Sequence, residues 1–499
     1  MSRRWKTITR RLWRLAIASG VLLLLLLIVR IYEAERGPEL HRWHTWVPHE
    51  LTVEQLDNAT YADYLKAENH LFDEMKQQVS DRLDAEEKTP LNRYYAGSMI
   101  YPGHFAQDWN RSYILQPTGT PRGAVVLLHG LTDSPYSLRH VAEAYRQQGY
   151  VAVAIRLPGH GTVPAGLTDV DWQDWMAATR LAVREATRLA GKQTPLHLVG
   201  FSNGGALAVK YALDSLGDQT LRRPQQLILL SPMIGVTRFA RFAGVAGLPS
   251  VFPAFSKTAW LNIVPEFNPF KYNSFPVHAA RQTYLLTQAL QKEILQYARN
   301  QQLSGFPPVL TFQSVMDSTV STPSVIRSLY NYLPVNGSEL VLFDINQAVS
   351  VSPLFRHSSY TAVNQLLPAA RRNYSSTVIT NATTTSLEMV TKSVPAGEMQ
   401  ERIQPLSIAY PAGLYSLSHV AIPFPADDGL YGSAPAQKNE FGISFGTLSL
   451  RGESAVLIVG LDSIMRATSN PFYPYMINRI DHHISCSDKP QLAACLSSF

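Results

Sequence analysis

At 499 residues and 45% apolar, the chain is long enough for one large core with sizeable additions. Its formal charge of +6 is accounted for by Arg3, Arg4, Lys6, Arg10, Arg11 and Arg14, with no acid in that arm, so the remainder is near neutral and a basic face for nucleic acid is excluded. Two cysteines, Cys486 and Cys495, are too few for a disulfide framework and lack the spacing or histidine partners of a zinc site, which leaves one terminal disulfide or two free thiols.

In chain order, the basic arm 1–14 is followed by an uncharged, largely apolar run from Leu15 to Val29, flanked by Trp13 and Tyr32 as interfacial aromatics. Arg14 and Arg30 can snorkel and lengthen the run to roughly 18–20 residues, and no Ala-x-Ala cleavage pattern follows. The expectation is an uncleaved, single-pass anchor over 15–32. The positive arm then stays cytoplasmic and the rest of the chain lies on the far face, the periplasm in a Gram-negative inner membrane. Residues 33–93 read as a linker and an amphipathic helix from Leu51 to about Arg82. From about Tyr94 to Leu115, Gly and Pro turns among aromatics suit one or two opening strands.

A regular alternation begins at Ala124–Leu128, a short buried strand, with a helix from about Ser137 to Gln148. It continues with strand Tyr150–Ile155, a helix over Asp171–Ala190, strand Leu196–Gly200, a helix through Ala206–Leu216 and strand Leu227–Ser231. Strands resume at Pro308–Phe312 and Glu339–Phe343. Such a series predicts a doubly wound, mostly parallel α/β sheet within one domain over 94–499, binding ligands at the carboxyl ends of its strands. Two blocks interrupt it. Residues 233–305, with Phe239, Phe242, Phe252, Phe255, Trp260, Phe267 and Phe270, sit where an insertion overhangs the strand ends and read as a cap. Residues 345–405, rich in Ser, Thr and Asn, form a second insertion whose shape stays open.

Gly200-Phe-Ser-Asn-Gly204 follows a hydrophobic strand and precedes a helix. That context makes it a nucleophile elbow: glycines two residues either side of Ser202 let a strained turn close and lift the hydroxyl into the site. A serine hydroxyl needs a base to take its proton and donors for the oxyanion that forms. The loop His129-Gly-Leu-Thr-Asp133 directly follows the first clear parallel strand. It offers the amide of Leu131, and the amide of Asn203 completes the donor pair; His129 is expected to pack and order that loop.

Val126-Leu-Leu-His-Gly-Leu-Thr-Asp-Ser-Pro135, Arg156-Leu-Pro-Gly-His-Gly161 and Gly200-Phe-Ser-Asn-Gly-Gly205 together resemble the α/β-hydrolase superfamily, in its monoacylglycerol lipase and carboxylesterase-like branch. The motifs span about a fifth of the chain, specific for fold and nearly silent on substrate. By that resemblance His160 is a structural loop residue, and the order is Ser, then acid, then His. Asp317, just beyond the strand at 308–312 in Asp-x-x-Val, is favoured as the acid over Asp344. His419, in Tyr415-Ser-Leu-Ser-His-Val, is favoured as the base over His357, His482 and His483. Its distance from Asp317, about a hundred residues, departs from the family pattern, and the second insertion would explain it. Asp427-Asp428 beside Gly429 reads as a solvated turn.

The expectation is therefore a membrane-anchored serine hydrolase using Ser202, His419 and Asp317 on a small-molecule or lipid ester, with no cofactor or metal. An acyltransferase, thioesterase or peptidase on the same triad is the alternative, and a non-catalytic envelope scaffold is a further one.

Overall fold

Along each central strand, successive side chains join opposite hydrophobic clusters. Ala124, Val126 and Leu128 pack with Trp175, Leu181, Leu207 and Leu286, while Val125 and Leu127 pack with Val141, Tyr145, Met476 and Ile480. Both faces of the sheet are thus covered, which is why these strands read as unbroken apolar runs. The computed structural model describes residues 3–235, 247–350, 352–367, 369–437, 439–448, 466–489 and 491–496. Phe239 and Phe242 lie outside them.

The main sheet comprises β1 (Tyr113–Leu115), β2 (Gly123–Leu128), β3 (Tyr150–Ile155), β4 (Leu196–Phe201), β5 (Gln226–Leu230), β8 (Val309–Ser314), β9 (Glu339–Phe343), β10 (Ser375–Asn381), β11 (Glu388–Val394) and β12 (Arg402–Ala409). A separate hairpin pairs β6 (Trp260–Asn262) with β7 (Phe275–Pro276). The strand order is β1-β3-β2-β4-β5-β8-β9-β10-β11-β12, parallel from β3 to β10 and antiparallel at both edges. Of the opening strands foreseen before Leu115, one forms, the three-residue β1.

The two blocks that broke the alternation differ in kind. Val277–Arg299 is the crossover helix between β5 and β8, its Leu286, Leu290 and Ile294 in the core, so the tail of the 233–305 block belongs to the sheet's own winding. Residues 345–405 carry β10 and β11 and the start of β12, so this stretch widens the sheet.

The long amphipathic helix foreseen over Leu51–Arg82 is two helices, Val53–Asn58 and Tyr61–Gln78. Ala59 ends the first and Thr60 caps the second: the Thr60 hydroxyl accepts from the Asp63 amide at 3.2 Å, and the Asp63 carboxylate accepts from the Thr60 amide at 3.0 Å. Leu56, Tyr64 and Leu71 are buried, so this region packs into the domain. It is also bound electrostatically. The Arg156 guanidinium, 1% exposed, donates to both Glu50 oxygens at 2.7 and 2.9 Å and to Glu68 at 3.0 Å.

The N-terminal helix runs from Arg3 to Glu35, and its stretch Arg10–Glu35 is long and apolar enough to cross a membrane. Its end is docked: Arg30 donates to the Trp260 carbonyl, Ala34 is buried, and Lys257 pairs with Glu39 at 2.9 Å. At the other terminus, Cys486 and Cys495 form a disulfide.

Removing Arg156 leaves two carboxylates buried without their counter-charge. Arg156→Met is expected to cost about 3–5 kcal/mol, read as a lower urea midpoint, with Glu68→Gln costing less.

Candidate active site

β4 ends at Phe201 and a helix begins at Asn203, leaving Ser202 alone to make the turn. It does so at φ 54°, ψ −116°, a conformation that costs a non-glycine residue of order 1–3 kcal/mol. Its amide donates to the Leu230 carbonyl on β5 and its carbonyl accepts from Met233, both at 2.9 Å, so two neighbours hold the strained residue. The flanking glycines are demanded by close packing. A Cβ on Gly204 would lie 1.9 Å from the Leu128 carbonyl oxygen, and one on Gly200 2.4 Å from that of Gly204.

β2 lies beside β4, so the loop after Leu128 falls on Ser202: a Cβ on Gly130 would stand 3.3 Å from that of the serine. The Leu131 amide has no hydrogen-bond acceptor among the described residues, and Asn203, first in its helix, has no carbonyl one turn back to bond. Two unengaged N–H groups thus flank the serine, as an oxyanion site requires. His129 orders the loop. Its Nε2 accepts from the Leu157 amide at 3.0 Å, its Nδ1 lies 2.9 Å from the Gly130 carbonyl, and burial holds its pKa well below the usual value. His160 is likewise buried, lowered by burial to about 3, with Nδ1 3.0 Å from the Pro158 carbonyl.

Asp317 and His419, 102 residues apart, meet at 2.9 Å through Oδ2 and Nδ1. The carboxylate accepts further bonds from the amides of Thr319 (2.8 Å) and Val320 (2.9 Å) and from Gln313 Nε2 (3.0 Å). Burial alone would raise its pKa, but the bond to His419 and these amides outweigh that and hold it below the usual carboxylate value. An ionised carboxylate only accepts, so Nδ1 carries the proton and Nε2 keeps its lone pair for base work. The imidazole stacks on Phe201, the residue before the nucleophile, at 5.2 Å between ring centres. No hydrogen bond joins Ser202 Oγ to His419 among the described residues; such bonds are often long before substrate binds.

The rivals stand elsewhere. Asp344 is engaged by Thr380 and the Ile345 amide, and His357 is exposed. His483 bonds Gln226, the first residue of β5, at the strand ends opposite Ser202, and His482 lies near the Cys495 carbonyl.

One reading is corrected. Asp428 is fully buried rather than in a solvated turn. It accepts from Tyr136 at 2.9 Å and from the amides of Leu430 (2.9 Å) and Tyr431 (2.7 Å), and pairs with Arg139 and His140. It ties the segment after His419 to the helix that follows the oxyanion loop. Its apolar flanks, Phe424, Leu430 and Tyr431, were the signal that this turn lies inside.

Residues 119–336 match the Hydrolase_4 family model, described as serine aminopeptidase, S33. The fold is that of an α/β-hydrolase. The chain also resembles the monoacylglycerol lipase and esterase branch. It is 36% identical over 89 residues to a thermostable monoacylglycerol lipase of Bacillus sp. (strain H-257), a match covering 18% of this chain and 34% of that relative. Similar solved structures include a soluble variant of monoglyceride lipase from Saccharomyces cerevisiae in complex with a substrate analogue (16% identity, 46% of this chain and 81% of that one, TM-score 0.37). A second is the monoacylglycerol lipase of Paleococcus ferrophilus (19% identity, 51% and 98%, TM-score 0.35).

Two substitutions probe this geometry. Gly204→Ala must push the helix off Leu128 and is expected to lower stability by about 1–3 kcal/mol, read by thermal unfolding. Asp317→Asn keeps the shape but removes the acceptor that fixes the His419 tautomer. The rate at which Ser202 is acylated by an active-ester probe should fall on the order of 10⁴-fold with unchanged circular dichroism.

Proposed function

We propose that this α/β-hydrolase is a membrane-anchored serine hydrolase of carboxylic esters, and the contact that carries the reading is Asp317 to His419 beside the elbow of Ser202. His419 Nε2 takes the Ser202 proton as Oγ attacks the ester carbonyl. The tetrahedral oxyanion is held by the amides of Leu131 and Asn203, while Asp317 stabilises the imidazolium. His419 then protonates the departing alkoxide, leaving an acyl-enzyme. Water, deprotonated by the same Nε2, releases the acid and restores Ser202.

The chain from about 247 to 276 acts as a cap beside the strand ends. The apolar helix Arg10–Glu35 serves as a single-pass anchor with the basic arm in the cytoplasm and the catalytic domain in the periplasm. The Cys486–Cys495 disulfide suits such an oxidising compartment.

Labelling with a fluorophosphonate probe tests the core of this reading. The folded protein should label and Ser202→Ala should not; an intact chain that stays unlabelled, or a label that survives the substitution, sinks it. The serine aminopeptidase description of the matched family favours a second reading, peptide or aminoacyl-amide cleavage on the same acyl-enzyme. A panel of nitrophenyl esters, thioesters and aminoacyl amides separates the two by kcat/KM.

A further inference from the structure

Two cations lie on segments that touch the site, one beside the 129–133 loop and one beside Asp317, and the proposed chemistry uses neither. Lys271 lies in the loop between β6 and β7, with both neighbours fixed. Phe270 stacks on Tyr136 at 4.3 Å, and the Tyr272 amide donates at 2.7 Å to the carbonyl of Thr132 in the oxyanion loop. Arg466 stands on the opposite side. Its Nη2 donates to Thr319 Oγ1 at 3.2 Å, Thr319 in turn donates its amide to Asp317, and the adjacent Ala467 carbonyl accepts from Ser418, the residue before His419.

Among the described residues, the Lys271 ammonium has no hydrogen bond or ion pair, and Arg466 has no ion pair. Burial lowers the Lys271 pKa, Asp133 opposes that fall, and the positive charge of Arg466 adds to it. Asp133 is a weak counter-charge: burial pushes it up to about 6, and one of its oxygens already accepts from the Ser134 amide at 3.0 Å. Like charges gathered at a partly buried rim raise each other's energy, and an anion placed between them relieves that repulsion.

The geometry points to Lys271 and Arg466 as an anion-recognition pair, so that the ester hydrolysed here carries a carboxylate or phosphate group on its acyl or alcohol part. This rests on the esterase reading above. Lys271 approaches from the oxyanion side and Arg466 from the Asp317–His419 side, so an anionic substituent held by both orients the ester carbonyl over Ser202. The pair acts in selection of substrate; the bond-making steps remain those of the triad.

Matched esters test it. On the acyl side, 4-nitrophenyl hydrogen adipate is compared with 4-nitrophenyl hexanoate; on the alcohol side, 4-carboxyphenyl butanoate is compared with its methyl ester. In at least one pair the anionic ester should be preferred about tenfold in kcat/KM, the worth of one charge-assisted hydrogen bond. Lys271→Met and Arg466→Gln should each pull that ratio toward unity, mainly through KM. In the unsubstituted protein, raising NaCl from about 0.05 to about 0.5 M should also shrink the ratio, which needs no variant to fold.

Equal rates within both pairs overturn the inference, as does a preference that survives both substitutions and salt. A fall in kcat shared equally by charged and neutral esters also overturns it, because that pattern belongs to oxyanion stabilisation. The esterase reading fails separately, by absence of fluorophosphonate labelling at Ser202.

Discussion

The approach of the helix Asn203–Gly217 to the end of β2 is the constraint on which the rest depends. The backbone of Gly204 touches the Leu128 carbonyl so closely that no side chain fits. That contact fixes where the helix begins, and with it the one residue that must bend between strand and helix. The same contact sets β2 against β4, which brings Gly130 onto Ser202. Ser202, the helix terminus and the proposed oxyanion loop are therefore one packing solution. The strain at Ser202 persists because Leu230 and Met233 hold its amide and carbonyl from outside the turn.

The proposed acid and base are held differently. Asp317 is secured by backbone amides just beyond β8, a local arrangement, whereas His419 arrives after four further strands. What keeps so distant a residue in place is a buried charge. Asp428, nine residues on, is held by Arg139 and His140 at the start of the helix that follows the oxyanion loop. Breaking such a buried pair is costly, because the charge left behind has no water to turn to. The segment bearing His419 and the helix after the 129–133 loop thus share one electrostatic clamp.

The central strands were legible because parallel strands buried on both faces must be apolar throughout, as Ala124–Leu128 and Leu227–Leu230 are. The elbow was legible because only glycine fits at 200 and 204. Other parts were hidden by residues that usually face water. Glu50 and Glu68 look like solvent-side acids until Arg156 is seen between them, and this made residues 33–93 resemble a linker. β10 to β12 extend the sheet at its edge with Ser, Thr and Lys, so no apolar run announced them. The Asp317–His419 pairing was expected from the family order together with the Asp-x-x-Val motif and the loop around His419, while Lys271 and Arg466 come near these residues only through folding.

The docking of the N-terminal helix makes it more than a leash. Arg30 grips Trp260, the first residue of the hairpin whose loop carries Lys271 and whose Tyr272 bonds the oxyanion loop. In the proposed anchor, the tilt of that helix and the height of the Ser202 site above a bilayer would be geared together. A thicker or thinner membrane, which tilts a spanning helix, would press directly on the wall of the site. Were the helix anchored as proposed, bilayer thickness would become a mechanical input to the pocket.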